Sequence, residues 1–94
     1  MLQNSLVLVG RLLNTPVISE IDDKKYTVID LIITETKESI SIYLYDSIAE
    51  NVVKYCKEDD LMGIKGHLDI KDKVLKVVAD KVTFLASKSK EGDE

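Results

Sequence analysis

Apolar and polar residues alternate one for one from Ser39 to Tyr45, with Ile40, Ile42 and Leu44 on one side and Ser39, Ser41, Tyr43 and Tyr45 on the other. That two-residue repeat describes a strand with one core face and one polar, aromatic face. Directly afterwards the period changes. Ile48, Val52, Tyr55 and Cys56 recur at offsets that gather them on one side of a helix of about ten residues, so all four are expected in the core. Ser47 and Glu50 have the spacing of a capping box, with Asp46 a competing N-cap. Glu50 and Lys54, one turn apart, are placed to pair.

The remaining segments read as strands. Residues 6–13, LVLVGRLL, are apolar on both faces, which implies burial on both sides or against a partner chain. Gly10 marks a bend that lets one strand serve two parts of a small barrel. After the break at Asn14-Thr15-Pro16, residues 17–21 add a short continuation. Residues 26–34, YTVIDLIIT, form a second strand after a polar turn, and residues 35–38 a loop into the strand that ends at Tyr45. Beyond the helix, residues 61–68 give a fourth strand with Gly63 and Gly66 permitting curvature, residues 69–73 a hairpin tip, and residues 74–85 a long final strand. Three strands, one helix and two strands predict an all-β chain, a five-stranded OB-fold Greek-key barrel with its helix between strands 3 and 4. Residues 1–85 make that one domain, and residues 86–94, ASKSKEGDE, a disordered polar tail.

Composition narrows the chemistry. Ninety-four residues, 45% of them hydrophobic, fill one core and no more. The single cysteine, Cys56, excludes an internal disulfide, and with His67 alone it cannot build a metal cluster. His67 and Cys56 are therefore expected on a strand surface and in the core, and no cofactor is expected. The apolar run near the N-terminus is short and contains Arg11, unlike a signal peptide, and no stretch is long enough to span a membrane. A cytoplasmic location is the resulting expectation. The formal net charge of -4 argues against indiscriminate binding of polyanions, although clustered cations matter more than their sum. No Walker loop, nucleophile elbow, zinc-protease motif or carboxylate pair is present, and Asp30 has no neighbouring acid or His with which to do catalysis. The chain is not expected to be an enzyme.

LVGRL at residues 8–12, Pro16, LYDSIAENVVKYCKEDDLMGIKGHL at residues 44–68 and VVADKVTFL at residues 77–85 resemble the bacterial single-stranded DNA-binding proteins. The most specific piece is A-E-N-V-x-K-Y followed by D-L-x-G-x-x-G. The resemblance implies an OB-fold subunit that assembles through its first strand and outer sheet into a homodimer or homotetramer. It also implies binding of single-stranded DNA without sequence preference in replication, recombination or repair, alongside proteins of those processes. The alternative is an accessory subunit, primosome-like, that keeps the fold and binds protein with weak or no DNA affinity. The family usually carries aromatics at the positions of Ser39, of the loop at residues 35–38 and of the hairpin at residues 69–73, and often a basic residue at that of Ser41. All are missing here.

Candidate DNA-binding residues follow from face and charge. Tyr45, which matches a stacking position of the family, and Tyr43 share the open face of the third strand. Arg11, Lys37, Lys65, Lys71, Lys73 and Lys76 are the candidate phosphate contacts, with Asp69 and Asp72 reducing the field of the hairpin. Tyr26 is expected to pack rather than to bind.

Overall fold

The computed structural model describes residues 4–86. Its strands are β1 (Leu6–Leu12), β2 (Ser19–Ile21), β3 (Lys24–Ile33), β4 (Ser39–Tyr45), β5 (Leu61–Lys71) and β6 (Val74–Ala86), with one helix, α1 (Asp46–Tyr55), between β4 and β5. They form one sheet in the order β1-β5-β6-β4-β3-β2, and a further pairing of β1 with β3 closes it into a barrel. This is the expected all-β OB-fold, with β2 as an added three-residue strand that pairs only with β3.

Closure depends on one residue. Leu6 to Arg11 pair with β5, while Gly10 to Leu12 pair with Leu31 to Ile33 of β3. A Cβ on Gly10 would lie 2.2 Å from the Ile32 carbonyl oxygen, so only glycine lets the two strands meet at the seam. At the opposite wall a register shift between Lys65 and Gly66 bulges the β5–β6 pair, and a Cβ on Gly66 would lie 2.3 Å from the Val78 carbonyl oxygen.

The core follows the alternation. Leu12, Leu31, Ile42, Leu44, Met62 and Ile64 are fully enclosed, with Ala49, Val52 and Cys56 of the helix side laid over them. Cys56 is buried as expected. Tyr55 is not: it is largely exposed and meets Phe84 with ring centroids 6.4 Å apart. The helix buries the stripe through Ala49, Val52 and Cys56, which leaves Tyr55, in the last turn, on its flank. The expected capping box is also absent. The N-cap is Tyr45, with no side-chain cap bond, and Asp46 turns the chain with φ 52°. Glu50 reaches Lys25 of β3 at 2.9 Å rather than Lys54. That hydrogen bond holds the Lys25 ammonium above its ordinary pKa.

Two hairpins are tighter than the sequence suggested. Asp22-Asp23 and Asp72-Lys73 each have both residues at positive φ, between strand ends paired Ile21 with Lys24 and Lys71 with Val74. These are two-residue type I′ turns, whose twist matches the flanking strands. The second hairpin therefore keeps its strands through residues 69–71, where the sequence suggested a tip. The last strand runs to Ala86, one residue into the expected polar tail, and residues 87–94 lie outside the described residues.

Candidate nucleic-acid interface

The outer face of β4 carries the site. Ser39, Ser41, Tyr43 and Tyr45 point away from the core, as the alternation required, and the β3–β4 register sets Tyr26 opposite Tyr45 and Val28 opposite Tyr43. Three rings are thereby brought together. Tyr43 and Tyr45 have centroids 6.5 Å apart with planes 19° apart, and Tyr26 lies 6.4 Å from Tyr45 at 34°. From β6, on the other side of β4, the Lys76 ammonium sits 4.8 Å from the Tyr43 ring centroid, a cation–π contact. Along β4 the face becomes polar, where the Ser41 hydroxyl donates to Asp30 Oδ1 at 2.7 Å.

Tyr26, Tyr43, Tyr45 and Lys76 line an open groove of about 430 Å³, completed by Ile21, Asp22 and Lys24 from the β2–β3 hairpin. A ring floor with the Lys76 ammonium over Tyr43, and with both Lys24 and Asp22 in the lining, suits a planar group attached to a phosphate. Tyr26 and Lys24 were not among the sequence candidates. The signal was there in the short loop: Ile33 N–H donates to the Glu38 carbonyl at 2.8 Å, and counting outward from that pair places Tyr26 across from Tyr45.

Of the sequence candidates, Tyr43, Tyr45 and Lys76 converge on this groove. The others lie elsewhere on the barrel. Lys71 closes the β5–β6 ladder and Lys73 sits in its turn. Lys65 faces out from β5 between Val7 and Lys81 in the register. Lys37, at φ 64°, turns the β3–β4 loop and donates its N–H to the Ile33 carbonyl. Arg11 is half-buried and donates from Nη1 to the Asp59 carbonyl at 2.9 Å, tying β1 to the segment before β5. His67 stands on the strand surface as expected, but with a carboxylate beside it, Asp80 Oδ2 at 2.9 Å from Nδ1. Among the described residues no three His, Cys, Asp or Glu side chains form a group that could hold a metal ion.

The fold is an OB-fold barrel with an aromatic outer face. The comparisons are structural: no family model and no curated protein matches the sequence. The structure is similar to the SSB domain of a Synechococcus protein, with TM-score 0.76 and 14% identity over 88% of this chain and 97% of that one. It is similar also to the single-stranded DNA binding protein of Thermus aquaticus, with TM-score 0.79 and 16% identity over 89% of this chain and 41% of that one. The second single-stranded DNA binding protein of Mycobacterium smegmatis, SSBb, has TM-score 0.74 and 16% identity over 88% and 89% of the two chains. At such identities the likeness establishes the fold.

Proposed function

We propose that this chain binds single-stranded DNA without regard to sequence, as a cytoplasmic, non-enzymatic protein of replication, recombination or repair. The observation that carries the reading is the ladder of Tyr26, Tyr45 and Tyr43, flanked by Lys24 and Lys76, on the open face of the barrel. Every base has a π-face, so such a ladder holds a strand without reading it. The three solved proteins similar in structure, each titled as an SSB domain or a single-stranded DNA binding protein, support the same reading. Self-association into a homodimer or homotetramer is supported by β1, whose Val7 and Val9 face out opposite Lys65 and Gly63 of β5, with Val7 72% exposed.

The test is fluorescence anisotropy of labelled dT oligomers at low and near-physiological salt, with Tyr45→Ala alongside. Salt-sensitive binding that prefers single strands and weakens in the variant is the expected result. Absence of binding at low salt defeats this reading and favours the second one, an accessory subunit whose ligands are proteins of replication or repair. That second reading is motivated by aromatic surface away from the groove, where Tyr55 and Phe84 are exposed at the helix end of β6.

A further inference from the structure

Strand β6 has strands on both sides for only two of its residues. β5 runs beside it from Val74 to Ala86, whereas β4 pairs with it at Val77 and Val78 alone and then gives way to α1. Among the described residues no strand pairs with the second edge of residues 79–86. Such an edge offers main-chain N–H and C=O groups to a further strand.

The side chains along this stretch turn toward the helix. Met62 and Ile64 of β5 are core, and their cross-strand partners Phe84 and Val82 share their face. Tyr55 meets Phe84 there, and the two rings wall both of two adjoining hollows. One, of about 210 Å³, lies between Ile48, Asn51 and Val52 of α1 and Val82 of β6. The other, of about 490 Å³, lies between Cys56, Asp60 and Leu61 on one side and the end of β6 on the other.

Asp60 gives the larger hollow its chemistry. Among the described residues that line the two hollows it alone is charged, and it is 8% exposed. Its Oδ2 accepts from the Lys57 N–H at 2.9 Å, while its buried Oδ1 has no hydrogen-bond donor among the described residues. A carboxylate oxygen buried without a donor is costly, and a ligand that brings it a charged N–H removes that cost.

We propose that α1 and the free edge of β6 bind an extended peptide of another protein, which adds to β6 as a strand and carries an apolar side chain and an arginine or lysine on one face. The peptide main chain pairs with β6, and its apolar side chain enters the smaller hollow. Its cation lays an aliphatic stem along the rings and brings its N–H groups to Asp60. The same carboxylate repels a phosphate, so this groove does not continue the tyrosine groove. Residues 87–94, SKSKEGDE, hold no apolar side chain for the smaller hollow, so the chain's own tail does not supply the occupant. The proposal gives the second reading above its ligand chemistry and rests on the same exposed ring pair, but it holds whether or not the tyrosine groove takes DNA.

The test pans phage-displayed random decapeptides against the full chain and measures a selected, labelled peptide by anisotropy. The selected sequences are expected to share an apolar and a basic residue. Phe84→Lys replaces an exposed ring and is expected to abolish binding, with circular dichroism checking the fold. Changing the peptide's basic residue to glutamine is expected to weaken binding to wild type about tenfold or more, and to alter binding to Asp60→Asn little. A merely structural Asp60 would not show that coupling. dT titration of the same samples, with Tyr45→Ala alongside, reads the tyrosine groove separately. Selection of no peptide, binding that survives Phe84→Lys, or an equal effect of the glutamine change on wild type and Asp60→Asn overturns the proposal.

Discussion

Tyr26 is where residue-level reading and the structure part company. Its sequence neighbourhood marks it only as the first aromatic of a strand. The role proposed for it depends on a partner nineteen positions away, because the register puts it beside Tyr45. Tyr43 and Tyr45 were legible since alternation alone decides their face, whereas Tyr26 needed the loop length as well. Removing a stacked ring costs roughly 1–3 kcal/mol. Tyr26→Ala is accordingly expected to weaken dT binding about tenfold or more while leaving the fold intact, checked by anisotropy and by thermal melting. Cys56 supports a second prediction at this scale. Burial first, and the Asp60 carboxylate second, push its thiol up to about 11 from 9.0. Near neutral pH it then carries about 100-fold less thiolate than an ordinary cysteine. Alkylation by iodoacetamide should be slow in the folded protein and rapid in urea. The linkage has a definite sign: the unfolded thiol ionises first, so this group's contribution to stability is full below about pH 9 and is lost as pH rises toward about 11. Melting temperatures measured across that range should fall more for wild type than for Cys56→Ala.

At the scale of elements, the strands announced themselves because one face of each is buried and a period of two is then obligatory. The turns did not. Residues 69–73 look like a polar tip, yet a type I′ turn uses only two residues, and the strands close around Asp72-Lys73 with Ile70 and Leu75 paired. Composition reads polarity, but strand pairing depends on register and on backbone handedness. The helix was misread at its ends for a related reason: Asp46 takes φ 52° to turn the chain out of β4, which displaces the expected capping geometry. The twin turn at Asp22-Asp23 offers a test, since the second residue stands at φ 65° without being glycine. Left-handed backbone penalises a side chain by about 1–2 kcal/mol, and glycine recovers part of that against its own chain entropy. Asp23→Gly should stabilise the protein by roughly 0.5–1 kcal/mol, seen as a higher melting temperature. Gly10→Ala should do the reverse. The added Cβ meets backbone at the barrel seam, not a side chain that can move aside. A loss of about 3 kcal/mol, the upper end for overpacking, is expected in urea titrations.

For the whole molecule the question is how a chain of net charge -4 would hold the polyanion proposed for it. The geometry supplies cations locally: Lys24 and Lys76 line the groove with the three rings, while Lys71 and Lys73 are carried away on the β5–β6 hairpin. Total charge was legible in the sequence, but this division was not, because it depends on which strands the barrel brings side by side. Counterion release turns the division into a number. Two neutralised phosphates give a slope of log K against log salt of about -1.4 for single strands, and engagement of Lys71 and Lys73 as well gives about -2.8. Between 50 and 200 mM salt those slopes mean losses of roughly sevenfold and fiftyfold. A groove-only interface predicts the smaller loss, and Lys71→Ala/Lys73→Ala then leaves the slope unchanged. Lys24→Ala/Lys76→Ala should flatten it almost completely. A slope near the larger value, reduced by half in the hairpin variant, would mean that the strand leaves the tyrosines along the charged face of the hairpin.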